Sequence, residues 1–188
     1  MGVDPRERGV KNEATGQYYA QNIGYTPSGA MSTMTLGNGV VEQRSWNDRL
    51  QLTGLTATRS GATVLGLGFY PCPGLATSCS SGNAGNIQGQ TIGLPGLSVT
   101  QNYTYDVLAR IGTVNEGAGS WKRGYGYDAV GNRYVDPDPA KTGGYTISAF
   151  SPTGTSNFDA NNRLGVNNSA YDPSGVGNQT AIGGYPYT

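Results

Sequence analysis

The sequence predicts an all-β fold of repeated antiparallel hairpins, and three observations carry that expectation. Glycine and proline supply 31 and 10 of the 188 residues while 13% are charged, which is a turn-rich composition, and 13 tyrosines argue against a disordered chain. Short alternating runs are common, whereas windows free of Gly and Pro with apolar residues at helical spacing are scarce. An aromatic–aspartate pair followed by a turn also recurs, as in YTYDVLARI (103–111) and YGYDAVGNR (125–133).

Taken in order, residues 1–24 form a polar segment, part strand or disordered, and 25–188 form the repeated sheet region. MSTMTL (31–36) reads as a strand, and VVEQRSWNDRL (40–50) as a strand leading into a turn. A Cys/Gly/Pro-rich loop covers 71–86; Cys72 and Cys79 are either a loop-clipping disulfide or two unpaired thiols. LSVTQNYTYD (97–106), SWKRGYGYD (120–128) and GYTISAF (144–150) read as strands. In 120–128, Trp121, Arg123, Tyr125 and Tyr127 share one parity and Lys122, Gly124, Gly126 and Asp128 the other, so one face is aromatic and the other nearly bare. TPSG, LGNG, DPDPAKTGG, SPTGTSN and DPSG are turns, because Pro presets φ, Gly and Asn accept positive φ, and Asp or Ser bonds the backbone two residues on.

The segments repeat. Tyr105-Asp106 with Arg110, and Tyr127-Asp128 with Gly131, Asn132 and Arg133, share one frame. Phe158-Asp159 with Arg163 keeps aromatic, aspartate, turn and arginine, and Tyr171-Asp172 with Gly175 follows. Tyr25 to Gly29 and Trp46 to Leu50 are weaker copies, while Gly85-Asn86 matches only the tail of the frame. Physically, each copy is a strand ending in a tight turn. The aspartate accepts backbone N–H bonds, the Gly or Asn adopts left-handed φ, the arginine reaches back to the aspartate, and the tyrosine buries its ring. A row of such hairpins extends a sheet and buries a shared face.

This frame, YDxxGR or YDxxGN at intervals near 20 residues, resembles the YD repeat of the RHS (rearrangement hotspot) family across about residues 25–188. The resemblance implies an open piece of a spiralling β-shell. The role it implies is non-enzymatic: enclosing a toxin or cargo domain, or scaffolding a cell surface, in a secreted or surface setting. It also implies the rest of such a shell, or neighbouring copies joined by strand-edge pairing, as partners. Ala109 departs from the usual glycine, Phe158 from tyrosine, and the segment Cys72 to Gly82 interrupts the pattern.

Composition narrows the function classes further. Twelve basic and twelve acidic residues cancel and form no basic stripe, so no nucleic-acid partner is expected. No run reaches the length of a membrane helix; the longest apolar stretch, Ala62 to Pro73, is broken by Gly66 and Gly68. The first residues do not read as a secretory leader. The chain has no histidine, which removes imidazole-based triads and the commonest metal ligand, and no cofactor or metal is expected. Its aspartates fall mostly in turns, where a structural job suffices. Tyr103 and Tyr125 are the candidates for stacking on glycans, against the simpler reading that they form cross-strand aromatic ladders.

Overall fold

A computed structural model describes residues 9–117, 121–166, 169–174, 177–183 and 185–186. Three expected features therefore touch undescribed positions: residues 1–8 of the polar segment 1–24, Ser120 in the 120–128 strand and Gly175 in the last copy of the frame. The chain divides into two compact units, residues 1–102 and 103–188, both all-β and antiparallel.

In the first unit, β1 (Gly9–Lys11), β2 (Tyr18–Tyr25), β3 (Met31–Leu36), β4 (Val40–Trp46), β5 (Leu52–Arg59), β6 (Ala62–Tyr70), β7 (Gly89–Leu94) and β8 (Leu97–Tyr105, continuing into the second unit) pair in sequence order. Strand structure thus begins inside the polar segment 1–24. This is an open meander: among the described residues β1 pairs only with β2.

Register explains how a single sheet holds together. Thr33, Gln43, Thr56, Gly66, Gly93 and Ser98 oppose one another across six strands, and the adjacent row on the other face is Arg44, Leu55, Leu67, Ile92 and Val99. Successive side chains alternate between faces, so one row is aliphatic apart from Arg44 and the other is built of polar residues and glycine. The core is thin in consequence. The largest side chains shut off completely are Pro71 and Cys72, with Ile23 and Ala57 also buried.

Two kinds of connection alternate. Tight hairpins join β3 to β4, where Gly39 has φ 82°, β5 to β6 through Ser60 and Gly61 at φ 51° and 81°, and β7 to β8 through Pro95 and Gly96. Positive φ at both central residues of the Ser60–Gly61 turn gives the backbone twist that matches a right-handed strand pair. The β2–β3 and β4–β5 connections are wider corners, described below.

The second unit holds the end of β8, β9 (Ile111–Glu116), β10 (Lys122–Tyr127) and β11 (Arg133–Asp136), with β9 and β11 flanking β10. The glycine face of β10 is covered from within this unit. A Cβ on Gly126 would collide with the Tyr134 ring, and one on Gly124 would meet Lys141 Cβ at 2.6 Å. The buried Thr142 accepts from the Gly124 N–H at 2.9 Å. A smaller sheet of β12 (Ala170–Tyr171), β13 (Gln179–Ile182) and β14 (Tyr185–Pro186) follows.

The sequence reading of 144–150 as a strand is corrected here. That segment makes turns and bends, and only Gly143 just before it forms a bridge, to Lys122. Alternation alone misleads at this point because Gly143 already uses the free stretch beside Lys122, and Ser148 ends the run by capping the Phe150 and Ser151 N–H groups.

Candidate functional site

The feature that recurs in the molecule is a five-residue corner, and its bonding is nearly the same each time. Its first residue follows an aromatic, which ends a strand at Tyr25, Trp46, Tyr105 and Tyr127 and forms an isolated bridge at Phe158. The first N–H donates to the carbonyl of the fifth residue, and the fourth N–H donates back to the first carbonyl. These two bonds occur at Thr26–Ala30, Asn47–Gln51, Asp106–Arg110, Asp128–Asn132 and Asp159–Arg163. The fourth residue has positive φ throughout, at Gly29 (91°), Leu50 (58°), Ala109 (60°), Gly131 (98°) and Asn162 (64°). The position therefore demands a left-handed backbone even where the residue is not glycine.

The first side chain pins the corner. Asp106 Oδ1 accepts the N–H groups of Leu108 and Arg110, both at 2.9 Å, and its Oδ2 takes the Arg110 guanidinium at 2.7 Å. Asp159 does the same with Asn161 and Arg163. Asp128 accepts from Val130 and Asn132 N–H, and the side-chain bond at 2.7 Å comes from Asn132, not from Arg133. The physical reason is register: the bonding partner is the fifth corner residue, and Arg133 is one residue beyond it, on β11. Asn47 and Thr26 fill the same place without a charge. At Tyr171-Asp172 the turn is longer, since the Asp172 N–H reaches Asn178, although Asp172 Oδ1 still accepts from Ser174.

These bonds tune the carboxyls. Partial desolvation pushes Asp106 up, but the N–H groups and guanidinium of Arg110 together with Leu108 N–H outweigh it and hold the acid below its ordinary value. Desolvation likewise pushes Asp128 up, and the Asn132 side chain with the corner N–H groups outweighs it and holds the acid down. For Asp159 the Arg163 N–H contributes most. All three shifts are downward because the anion accepts several hydrogen bonds.

Successive corners interlock, a relation not visible within one copy of the frame. Arg110 lies 4.1 Å over the Tyr127 ring, and the Tyr127 hydroxyl donates to the Ile111 carbonyl at 3.0 Å. Arg163 lies 5.2 Å over the Tyr171 ring, whose hydroxyl donates to Leu164 O at 2.7 Å. In the first unit the Trp46 indole N–H donates to Met31 O at 2.9 Å, again the residue just past the previous corner. Trp46, Tyr127 and Tyr171 thus lock onto the corner before them. Where the fifth residue is Asn132 instead of arginine, the next aromatic is Phe158, which has no hydroxyl, and Asn132 bonds Asn162 directly. The signal that could have revealed this is the pairing of each arginine with the tyrosine of the following copy.

The interrupting loop is also placed. Tyr70 is the aromatic ending β6, and Pro71 stands where a corner aspartate would be. Proline has no N–H to donate, so the corner cannot form. The chain instead runs through 71–88 and closes with Gln88 N–H donating to Tyr70 O at 2.7 Å. Cys72 and Cys79 are disulfide-bonded, and Asn83 and Gln51 exchange two side-chain amide bonds at 2.7 and 3.1 Å. The loop is thereby fastened to the 47–51 corner.

The remaining sequence candidates lie close to this frame. Tyr103 and Tyr105 are half-buried, and burial raises both phenols. Tyr125 is half-buried with the Arg133 guanidinium 4.9 Å over its ring. Among the described residues no three His, Cys, Asp or Glu side chains gather as metal ligands do, and no helix is long and apolar enough to cross a membrane.

In class, then, the molecule is an open antiparallel meander whose corners are pinned by Asx side chains and chained by aromatics. No protein-family model matches the chain, and no curated protein matches it. Among solved structures it is similar to the crystal structures of TcdB2-TccC3-Cdc42 (14% identity, 66% of this chain and 7% of that chain, TM-score 0.32) and of TcdB2-TccC3 (15% identity, 70% and 8%, TM-score 0.32). The chain spans less than a tenth of the length of those it matches.

Proposed function

We propose that this chain is a non-enzymatic length of YD-repeat sheet, a piece of β-shell wall that encloses a cargo domain or scaffolds a surface. The observation that carries the reading is the corner itself. The aspartates that could serve as acids or bases, Asp106, Asp128 and Asp159, each hold two backbone N–H groups on Oδ1 and a side-chain donor on Oδ2, and the arginines and tyrosines around them bond to one another. These residue types, which in another setting would suggest chemistry, have architectural work here. A disulfide in the loop suits an exported protein. A glycan-binding role for Tyr103 and Tyr125 would need open ring faces, and Arg133 already occupies one face of Tyr125.

The test is negative-stain electron microscopy of the intact gene product together with protease challenge. The reading expects a hollow particle in which a segment outside the repeats resists digestion until the wall is opened by denaturant. A compact particle with no interior, and equal digestion of every segment, would overturn it.

A further inference from the structure

Two arginines in the second unit are not used in corners. Arg44, Arg110 and Arg163 are ion-paired, but among the described residues Arg123 and Arg133 meet no carboxylate. Both line one concavity of about 140 Å³ with Tyr125, Val135, Ser151 and Pro152. Parity puts Arg123 and Tyr125 on one face of β10, and register puts Arg133 opposite Tyr127 on β11, diagonal to Tyr125. Each guanidinium is held by rings rather than by an acid. Arg133 stacks on Tyr125, and Arg123 lies 4.5 Å over Tyr145 and 6.0 Å from the Trp121 ring. The Arg123 Nε–H donates to the Tyr145 hydroxyl at 2.6 Å, which fixes the plane of the group. Val135, buried, and Pro152 supply apolar walls.

A ring face attracts a cation but cannot neutralise it, so two oriented positive forks remain at the rim of a partly apolar hollow. The hollow has room for one oxyanion group beside the two guanidinium groups. We propose that Arg123 and Arg133, flanking Tyr125, form a binding site for a single oxyanion, either a carboxylate or a sulfate group. Recognition would be by charge-assisted N–H···O bonds from both forks, the geometry for which guanidinium is suited.

The experiment is calorimetric titration of the intact chain with sodium acetate and with sodium methyl sulfate, ionic strength being held by sodium chloride, with Trp121 fluorescence as a second readout. Saturable binding is expected for at least one probe, and whichever binds more tightly identifies the oxyanion. Arg133→Gln is expected to weaken it at least about tenfold, Arg133→Lys to restore part of it, and Arg59→Gln, a change at an exposed arginine outside this hollow, to leave it unchanged. Arg133 is exposed and outside the corner bonds, and a far-ultraviolet circular dichroism spectrum matching the parent shows that the variant is folded. Heats no different from chloride for both probes, or equal binding by the parent and Arg133→Gln, would overturn the site.

Discussion

Ala109 and Gly131 occupy the same corner position at φ 60° and 98°, and the contrast between them is a direct test of what that position asks for. A side chain in the left-handed region costs ~1–2 kcal/mol, and glycine gives back ~0.5–1 kcal/mol through the unfolded chain. Ala109→Gly is therefore expected to stabilise the protein by about 0.5 kcal/mol and Gly131→Ala to destabilise it by about as much or more, read from urea denaturation midpoints. At Tyr127, removing the hydroxyl deletes the bond to Ile111 O while keeping the ring under Arg110. Tyr127→Phe should cost about 1 kcal/mol, whereas Tyr134→Phe, whose hydroxyl no interlock uses, should cost less. The pH dependence follows from the corner acids. Asp106, Asp128 and Asp159 are all held below the ordinary aspartate value of ~3.9. A depressed folded value means stability that is present above the unfolded value and is lost as pH falls through the folded one. Melting temperature should accordingly be flat between about pH 5 and pH 8 and drop progressively below about pH 4.

At the scale of the element, the corner and the loop are two solutions to the same connection. Residues 71–88 replace a five-residue corner with a longer excursion because Pro71 cannot donate, and the disulfide and the Asn83–Gln51 amide pair supply the order that the corner bonds give elsewhere. Reduction of Cys72–Cys79 should raise hydrogen exchange in 71–88 and in the 47–51 corner and destabilise the first unit by about 2 kcal/mol. If exchange at 47–51 does not change, the loop is not fastened to that corner. Much of this level is legible in the sequence. MSTMTL and LSVTQNYTY alternate and are strands, and the frame locates the corners at Asp106, Asp128 and Asp159. Two things are not legible. The strand-like run 144–150 alternates but turns and bends instead of pairing, with Ser148 holding the Phe150 and Ser151 N–H groups. The arginine–tyrosine link joins different copies, so it depends on register between strands and not on spacing within a motif; for the same reason Arg133, adjacent in sequence, is not the residue that holds Asp128.

In the first unit few side chains are fully buried, Pro71 and Cys72 being the largest, so its strands depend heavily on their pinned ends. Open meanders also leave backbone donors and acceptors unpaired at an edge. Within the described residues β1 pairs on one side only, and Val10 on it is 46% exposed. The chain is expected to associate as concentration rises, through addition of a strand at this edge, with light scattering coupled to size-exclusion chromatography reporting the mass; Val10→Pro should return it toward the monomer. A constant monomer mass in the parent chain would contradict edge pairing.

If the corner carboxylates are structural pins, removing one loosens its turn. The most direct measurement is the melting temperature of Asp128→Ala set beside Asp48→Ala, which removes an aspartate at the tip of a corner pinned by Asn47. Asp128→Ala should melt several degrees lower and Asp48→Ala should be unchanged, while equal melting temperatures for Asp128→Ala and the parent chain would rule out Asp128 as a pin.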